Sequence, residues 1–394
     1  MPETGAPQAR LSELAKFLKQ NGHKVTILTS MPNYPTGKIF KGYHGLLRIE
    51  EIDGIKIIRC YIYPSNSKNI ILRLINYFSF VISSLLIGII YLPRSNYLIT
   101  ESPPLFLGIS GFILSKIKKS KWVFNVSDLW PESAVVLGII KDGFALKISQ
   151  KLEEFCYKKS WMVTGQSNEI VQNIKERFPE KLVHKFSNGV DINTYNKSNK
   201  SKILTKWSKN KKFTAVYAGL HGIAQGLDQL IFAAKEMENL SLNVQIILIG
   251  DGLEKKKLVE HSKKLKLKNV TFVGIQEKKL MPAIWASADI AIISLKKYII
   301  GAVPSKLYEA MASSTSILLI GEGECADIVK KANCGITVSP GDIYGIVNGI
   351  KEIIISEKDR MLFSSNARLQ IEMQYNRKLL MQKLTRVLEK NVDS

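Results

Sequence analysis

The sequence predicts an α/β chain made of two doubly wound lobes, each a parallel sheet covered by helices. Three stretches in the second half carry that reading: VYAGLHGIAQGLDQLI (Val216 to Ile231), IILIGDG (Ile246 to Gly252) and SILLIGEGECADIV (Ser316 to Val329). Each is a short, wholly apolar run stopped by glycine, and the first and third lead on into a helical pattern. Strands buried on both faces read this way, whereas half-exposed strands alternate. Strand and helix continue to alternate to Ile355, as parallel sheets require. The glycine turns then gather at the carboxyl edge of one sheet, where open α/β sheets bind ligands.

The first half yields its elements in order. A helix is predicted over Ala6 to Gln20 and a strand over Lys24 to Thr29. The pair Leu46 to Ile52 and Ile55 to Ile62 turns at Asp53-Gly54, a strong hairpin signal. After the uncharged segment Leu74 to Pro93 come a strand (Tyr97 to Thr100), a helix (Leu105 to Lys118) and a strand (Trp122 to Val126). The basic, polar run Lys197 to Lys212 reads as an interdomain linker. The resulting division is 1–195, a linker at 196–212, a second lobe at 213–368, and a tail at 369–394 holding the amphipathic Tyr375 to Lys390. A doubly wound lobe opens on a buried strand, yet Met1-Pro2-Glu3 enters directly at the loop that would follow it. The first strand is therefore expected to be missing, by a misassigned start or a truncation, with unpaired edges in mid-sheet.

The motif richest in chemistry is PSKLYEAMA (Pro304 to Ala312), placed after the strand pattern DIAIISL (Asp289 to Leu295). Proline suits the first helical turn, whose backbone donors lack intrahelical partners. The helix start, with Ser305 and Leu307 in its first turn, is a seat for phosphate, and Lys306 adds a full charge. Glu309, three residues on, shares a face with Lys306 and suits a ribose hydroxyl pair. An ordinary helix with a solvated Lys–Glu pair fits these residues equally well. The preceding turns add Gly219, Gly222, Gly226 and Gly250, with His221 and Gln225 between them, and the third turn adds Gly321, Gly323 and Glu324. Such glycines allow close backbone approach to a ligand. The spacing is no G-x-G-x-x-G, so a dinucleotide is not indicated.

These motifs, with PETGA, PNYP, FNVSDLWPESAVVLG (Phe124 to Gly138) and SNGVDINTY (Ser187 to Tyr195), resemble family 4 glycosyltransferases over nearly the whole chain. Within them the chain is similar to the bacterial subgroup that includes L-fucosamine transferases of surface-polysaccharide assembly. The resemblance implies the GT-B fold, two Rossmann-like domains facing a cleft, with the C-terminal helix crossing back to the first. Donor contacts are expected at Gly219, Gly222, Gln225, Gly250, Ser305, Leu307, Gly323 and Glu324, while His221, in the same loop, touches phosphate or nothing. Two departures stand out. The first of the family's paired glutamates falls at Gly301, with only Glu309 matching, and Leu220 and Gln225 replace the arginine and lysine that commonly hold the diphosphate. The phosphate charge then falls on Lys306 and backbone N–H groups.

On the acceptor side the expected residues are Gly5, Tyr34, Asp128 and Glu132. A carboxylate at a strand end, as Asp128 is read, can take or orient an acceptor hydroxyl's proton. Helix N-capping by Asp128 and dipole pairing by Glu132 are the structural alternatives. His23 and Trp130 read as structural.

Composition bounds the partners. The 394 residues suffice for two cored domains, and the formal net charge of +22 calls for a polyanion. No RNA-binding, zinc or helix-turn-helix signature supports nucleic acid. The apolar segment 74–93, flanked by Arg73 and Arg94, is just long enough to span a bilayer but is diluted by Asn76, Ser79, Ser83, Ser84 and Gly88. An in-plane helix, its aromatic start near Lys68 and Arg73 dipping into the interface, is favoured over a plain core helix or a span. Cys60, Cys156, Cys325 and Cys334 lack metal or redox spacing and read as reduced core thiols. With no cleavable signal, the protein is expected in the cytoplasm, peripherally bound to the inner face of the membrane.

The expected activity is retaining, metal-independent transfer from a UDP-sugar, without cofactor, to a polyprenyl-diphosphate-linked saccharide in capsule or O-antigen synthesis. Retention and metal independence come from the resemblance, as does the type of sugar, an N-acetylated amino or deoxyamino hexose such as N-acetyl-L-fucosamine. A UDP-sugar epimerase or hydrolase on the same fold, and a non-enzymatic basic membrane- or nucleic-acid-binding protein, are the alternatives.

Overall fold

A computed structural model describes residues 3, 5–34, 37–65, 69–140, 143–208 and 213–392. Met1, Pro2, Thr4, Pro35, Lys68 and the linker's last four residues, all used in the sequence reading, lie outside these. The chain forms two units, Met1–Asn188 with Leu380–Ser394, and Gly189–Leu379.

In unit 1, helix α1 (Ala6–Gln20) covers the span expected and leads to β1 (Thr26–Ser30). Strands β2 (Leu47–Ile52) and β3 (Ile55–Cys60) form an antiparallel hairpin. Its turn residues Asp53 and Gly54 both have positive φ (54° and 73°), the geometry that favours a two-residue Asp-Gly turn. β1 pairs parallel with β3. Helix α2 (Ile70–Tyr91) follows, then β4 (Tyr97–Ser102), α3 (Leu107–Ile117), β5 (Lys121–Val126), α4 (Glu132–Val136), α5 (Phe144–Lys159), β6 (Met162–Gly165), α6 (Asn168–Arg177) and β7 (Val183–Lys185).

Strands β4-β5-β6-β7 form a parallel sheet separate from β1-β3-β2. Unit 1 thus holds two sheets instead of one continuous doubly wound sheet, because among the described residues β1 pairs only with β3 and β4 only with β5. Phe124 and Val126 face α5 and α6, while Val123 and Met162 face α1 and the tail helix. His23 pairs with Glu389, and Trp130 packs edge-on to Phe106.

Unit 2 contains β8 (Phe213–Ala218), α7 (Asp228–Asn239), β9 (Val244–Ile249), α8 (Lys255–Lys264), β10 (Val270–Val273), α9 (Met281–Ser287), β11 (Ile290–Ser294), α10 (Ser305–Ala312), β12 (Ser316–Ile320), α11 (Glu324–Ala332), β13 (Gly335–Val338), α12 (Ile343–Ile355) and α13 (Glu357–Gln370). All six strands are parallel, in the order β10-β9-β8-β11-β12-β13. Successive side chains go to opposite faces. Val216, Ile247, Ile293 and Leu319 enter one core, and Tyr217, Leu248, Ile292 and Leu318 enter the other. Both faces are dry, which is why these strands read as unbroken apolar runs.

Two boundaries differ from the sequence reading. The chain passes between units at Asn188–Gly189 and again at Leu379–Leu380. The stretch read as a linker packs on unit 2 as far as Ser208. Leu204 is buried, Ser201 and Ser287 bond reciprocally, and the Trp207 carbonyl accepts from Thr271. Basic composition hid these apolar anchors. The tail helix α14 (Arg377–Glu389) places Leu380, Met381, Leu384 and Leu388 in the unit 1 core beside Leu14 and Phe186. The four cysteines are buried, and burial pushes the thiols of Cys60, Cys156 and Cys334 up to about 12.

Arg368 holds α13 to the start of unit 2, donating to the carbonyls of Ile192, Tyr195 and Ala312 while pairing with Glu372. Arg368→Ala strips three carbonyls of a charged donor and should cost about 3 kcal/mol. Lysine, lacking the planar fork, should recover only part of this. Denaturant unfolding checks it, and an unchanged midpoint in Arg368→Ala would contradict the assignment.

Candidate active site

The unit 2 strand order is that of a Rossmann sheet, with its topological switch between β8 and β11. A ligand site is expected outside the carboxyl ends of these two strands. The Gly219 turn leaves β8 there, and the Pro304 helix start follows β11. Their side chains meet: a Cβ built on Gly219 would lie 2.4 Å from Lys306 Cε, so the lysine stem crosses directly over the glycine. Helix α10 begins behind Pro304 with no side-chain cap and no acidic residue in its first turn, leaving its positive end for an anion.

The first two glycine turns are stitched together by backbone. Gly219 N–H donates to the Ile249 carbonyl (2.9 Å), His221 N–H to Asp251 (2.8 Å) and Glu254 N–H to His221 (3.0 Å). Gly250 has φ of +134°, and any Cβ there would lie 1.9 Å from the Gly219 carbonyl oxygen. Only glycine fits.

Inside this loop sit polar atoms without partners. Both ring nitrogens of buried His221 and the buried Oε1 of Gln225 have no hydrogen-bond partner of good geometry. Burial, reinforced by Lys255, lowers the His221 pKa, so the ring is neutral. Gln225 Oε1 lies close over Gly222, and its carbonyl accepts from Ser294 Oγ.

Lys306 and Glu309 do not act as one pair. Glu309 Oε2 accepts from the buried Trp285 indole N–H at 3.2 Å, while Lys306 turns to Gly219. Ser305 is half-buried at the helix start. The structure corrects Leu307: its side chain is fully buried in the core and its N–H bonds to the Pro304 carbonyl, since the third position of this turn faces the sheet. Gly323 begins α11 with φ of +71°. Glu324 is buried in the first turn of α11; burial, with the Glu324 charge adding, pushes Tyr375 up to about 12.

In unit 1, Asp128 follows β5 beside a buried polar network that the sequence reading missed. Arg10 of α1, wholly buried, donates to Asn188 Oδ1 (2.9 Å), Ser127 Oγ (2.6 Å) and Glu101 Oε1 (3.3 Å). Asn125 and Ser127 also donate to Glu101. Burial raises the Glu101 pKa against the pull of Arg10 and these donors. Burial first, then the Glu101 charge, raises Asp128 to about 6, against the pull of Arg10. Asp128 does not cap α4, whose N-cap is Pro131.

Arg10 therefore ties the N-terminal half of α1 to the segment that carries Asp128. Tyr34 and Asn33 donate their N–H groups to Glu3, ahead of that helix (2.9 and 2.7 Å). Glu132 stands apart, facing Arg177 at 3.8 Å, with its Oε2 buried and unpartnered. Its neighbour Glu153 takes the closer Arg177 contact, 2.6 Å.

The raised Asp128 pKa has a stability consequence. The folded state binds a proton more tightly than the unfolded chain, so stability falls as pH rises from about 4 to about 6. Asp128→Asn should remove that penalty and stabilise the protein at pH 7 by roughly 1–3 kcal/mol, with little change at pH 4. Equal effects at both pH values would show that Asp128 titrates normally.

Comparison with known proteins agrees with this arrangement. Residues 199–370 match the family model described as glycosyl transferases group 1. The chain is 23% identical over 371 residues to the putative colanic acid biosynthesis glycosyl transferase WcaI of Escherichia coli K12, covering 88% of both chains. It is 25% identical over 273 residues to the probable glycosyltransferase WbjE of Pseudomonas aeruginosa, 66% of each. Among solved structures it is similar to sucrose-phosphate synthase of Thermosynechococcus elongatus (TM-score 0.78, 15% identity, 98% of this chain and 94% of that one). It is also similar to Anabaena HepE in complex with UDP and glucose (TM-score 0.72, 17% identity, 98% and 96%). The structural likeness establishes the fold, two Rossmann-like lobes of the GT-B type, and the family match lies on the second of them.

Proposed function

We propose that the protein is a retaining glycosyltransferase that moves a sugar from a UDP-sugar to a lipid-linked saccharide during assembly of a surface polysaccharide. The sugar class we favour is an N-acetylated amino or deoxyamino hexose such as N-acetyl-L-fucosamine, on the resemblance of DLWPES and PSKLYE. The observation that carries the donor side is Lys306 lying across Gly219 at the uncapped start of α10. The names of two neighbours support the donor and the pathway class. HepE was solved with UDP-glucose, and WcaI is described by colanic acid biosynthesis.

In this reading the leaving diphosphate takes its charge stabilisation from Lys306 and the first amides of α10. Fixed donors aimed at developing charge are usually the largest catalytic term. His221 and Gln225 offer their unpartnered atoms to the nucleotide-sugar, and Glu309, oriented by Trp285, accepts from the ribose hydroxyls. With no residue placed as nucleophile, the departing UDP guides attack on the same face. Asp128 serves the acceptor: with a pKa of about 6 it is a carboxylate at neutral pH yet basic enough to take a hydroxyl proton. Transfer should therefore fall as pH drops through about 6.

The direct test is Lys306→Ala with UDP-sugars and lipid-linked acceptors. We expect kcat to fall by roughly two to three orders of magnitude, as when one oxyanion-type donor is lost. Folding should be unaffected, because a half-buried first-turn lysine contributes only about a few tenths of a kcal/mol. Unchanged transfer at saturating donor would contradict the phosphate site. Turnover of the UDP-sugar alone, without acceptor, would point to an epimerase or hydrolase.

A further inference from the structure

Helix α2 is built inside out. Apart from Val81, the residues it turns to its own unit are small or polar: Asn76, Ser79, Ser83, Ser84 and Gly88. Asn76 Nδ2 donates to the Tyr63 carbonyl (2.6 Å), Ser79 Oγ accepts from Tyr63 N–H (2.8 Å), and Ser83 Oγ donates to the Tyr61 carbonyl (2.5 Å). Gly88 packs directly against Leu114 and Leu28. The opposite face carries Ile71, Ile75, Phe78, Ile82, Leu86 and Ile89, each between 38% and 63% exposed. Their spacing of three and four residues makes one straight apolar stripe along the helix.

We propose that this stripe is a docking surface for an anionic lipid bilayer, with α2 lying in the plane of the interface. The surrounding charge selects that occupant. From Ile55 to Pro131 the only acidic residues are Glu101 and Asp128, both withdrawn into the polar network described above. Arg73 lies near one end of the helix and exposed Arg94 just past the other. Lys118 donates to the Ile89 carbonyl there, with exposed Lys116 and Lys119 beside it. An apolar stripe rimmed by cations matches acyl chains beneath anionic headgroups. A second copy fits worse, because antiparallel pairing of two α2 helices would set the Arg73 end of one against the Arg94 end of the other. Insertion across the bilayer would break the bonds to Tyr61 and Tyr63 and expose Gly88.

The position suits a lipid-borne acceptor, a point that rests on the proposed function. From mid-stripe, ring contacts run from Phe78 to Phe106 (4.9 Å) and from Phe106 to Trp130 (5.8 Å), two residues from Asp128.

The test needs no activity. The full chain and the double variant Ile82→Glu/Leu86→Glu are sedimented with vesicles of phosphatidylcholine alone or with one quarter phosphatidylglycerol. Both residues are exposed, so the variant should unfold at the wild-type midpoint. We expect the wild type to pellet with anionic vesicles, to pellet much less with neutral ones, and to be released by high salt, while the variant binds about tenfold or more weakly. Equal binding by the variant, or no binding by the wild type at low salt, would overturn the proposal. So would extraction by detergent alone, which marks a spanning helix, or a wild-type dimer abolished by the substitutions without vesicle binding.

Discussion

The close approach of Lys306 to Gly219 is the contact on which the functional reading depends. It exists because the six strands of unit 2 reverse order between β8 and β11, delivering the glycine turn and the α10 start to one edge. A side chain at position 219 would occupy the lysine's path, and one at 250 would strike the Gly219 carbonyl. The loop is therefore held by backbone to backbone, and the cation is held by absence of bulk. Leu220 and Gln225 bring no charge to this turn; Lys306 lies over Gly219, and Lys255 donates to the Gly250 carbonyl of the facing turn (2.8 Å).

Unit 1 solves a different problem. Burial raises both Glu101 and Asp128, the Glu101 charge raises Asp128 further, and a buried arginine reaching from α1 pulls both back. Removing Arg10 would leave an uncompensated buried charge, the costly way to break such a network. Retaining it leaves Asp128 titrating near 6, in the range where a base is useful.

Much of this was legible in the sequence where the signal is local. The runs at Val216, Ile246 and Ser316 announced strands because both sheet faces are dry. Asp53-Gly54 announced its hairpin because few dipeptides tolerate two positive φ angles. Pro304 and Lys306 announced an anion-ready helix start. What escaped notice is long-range. Arg10 and Glu101 come from α1 and β4, Ser127 and Asn188 from the segments after β5 and β7, and no periodicity links them. The same limit applied to Leu307, read as a ligand contact from its place in the motif, whereas helical geometry turns it into the core. The polar residues of α2 read as weakening an apolar segment. In the structure they form most of its packed face with Val81, and the apolar stripe from Ile71 to Ile89 points outward.

The most direct measurement of the central claim is the affinity of UDP for Gly219→Ala, set beside its unfolding midpoint. The added methyl should displace the flexible end of Lys306 and press lightly on the Tyr217 hydroxyl at 3.1 Å, so stability should fall little while UDP binding weakens by about tenfold, the worth of one charge-assisted contact. Wild-type affinity in a normally folded Gly219→Ala protein would contradict the claim that Lys306, laid over this glycine, forms the diphosphate site.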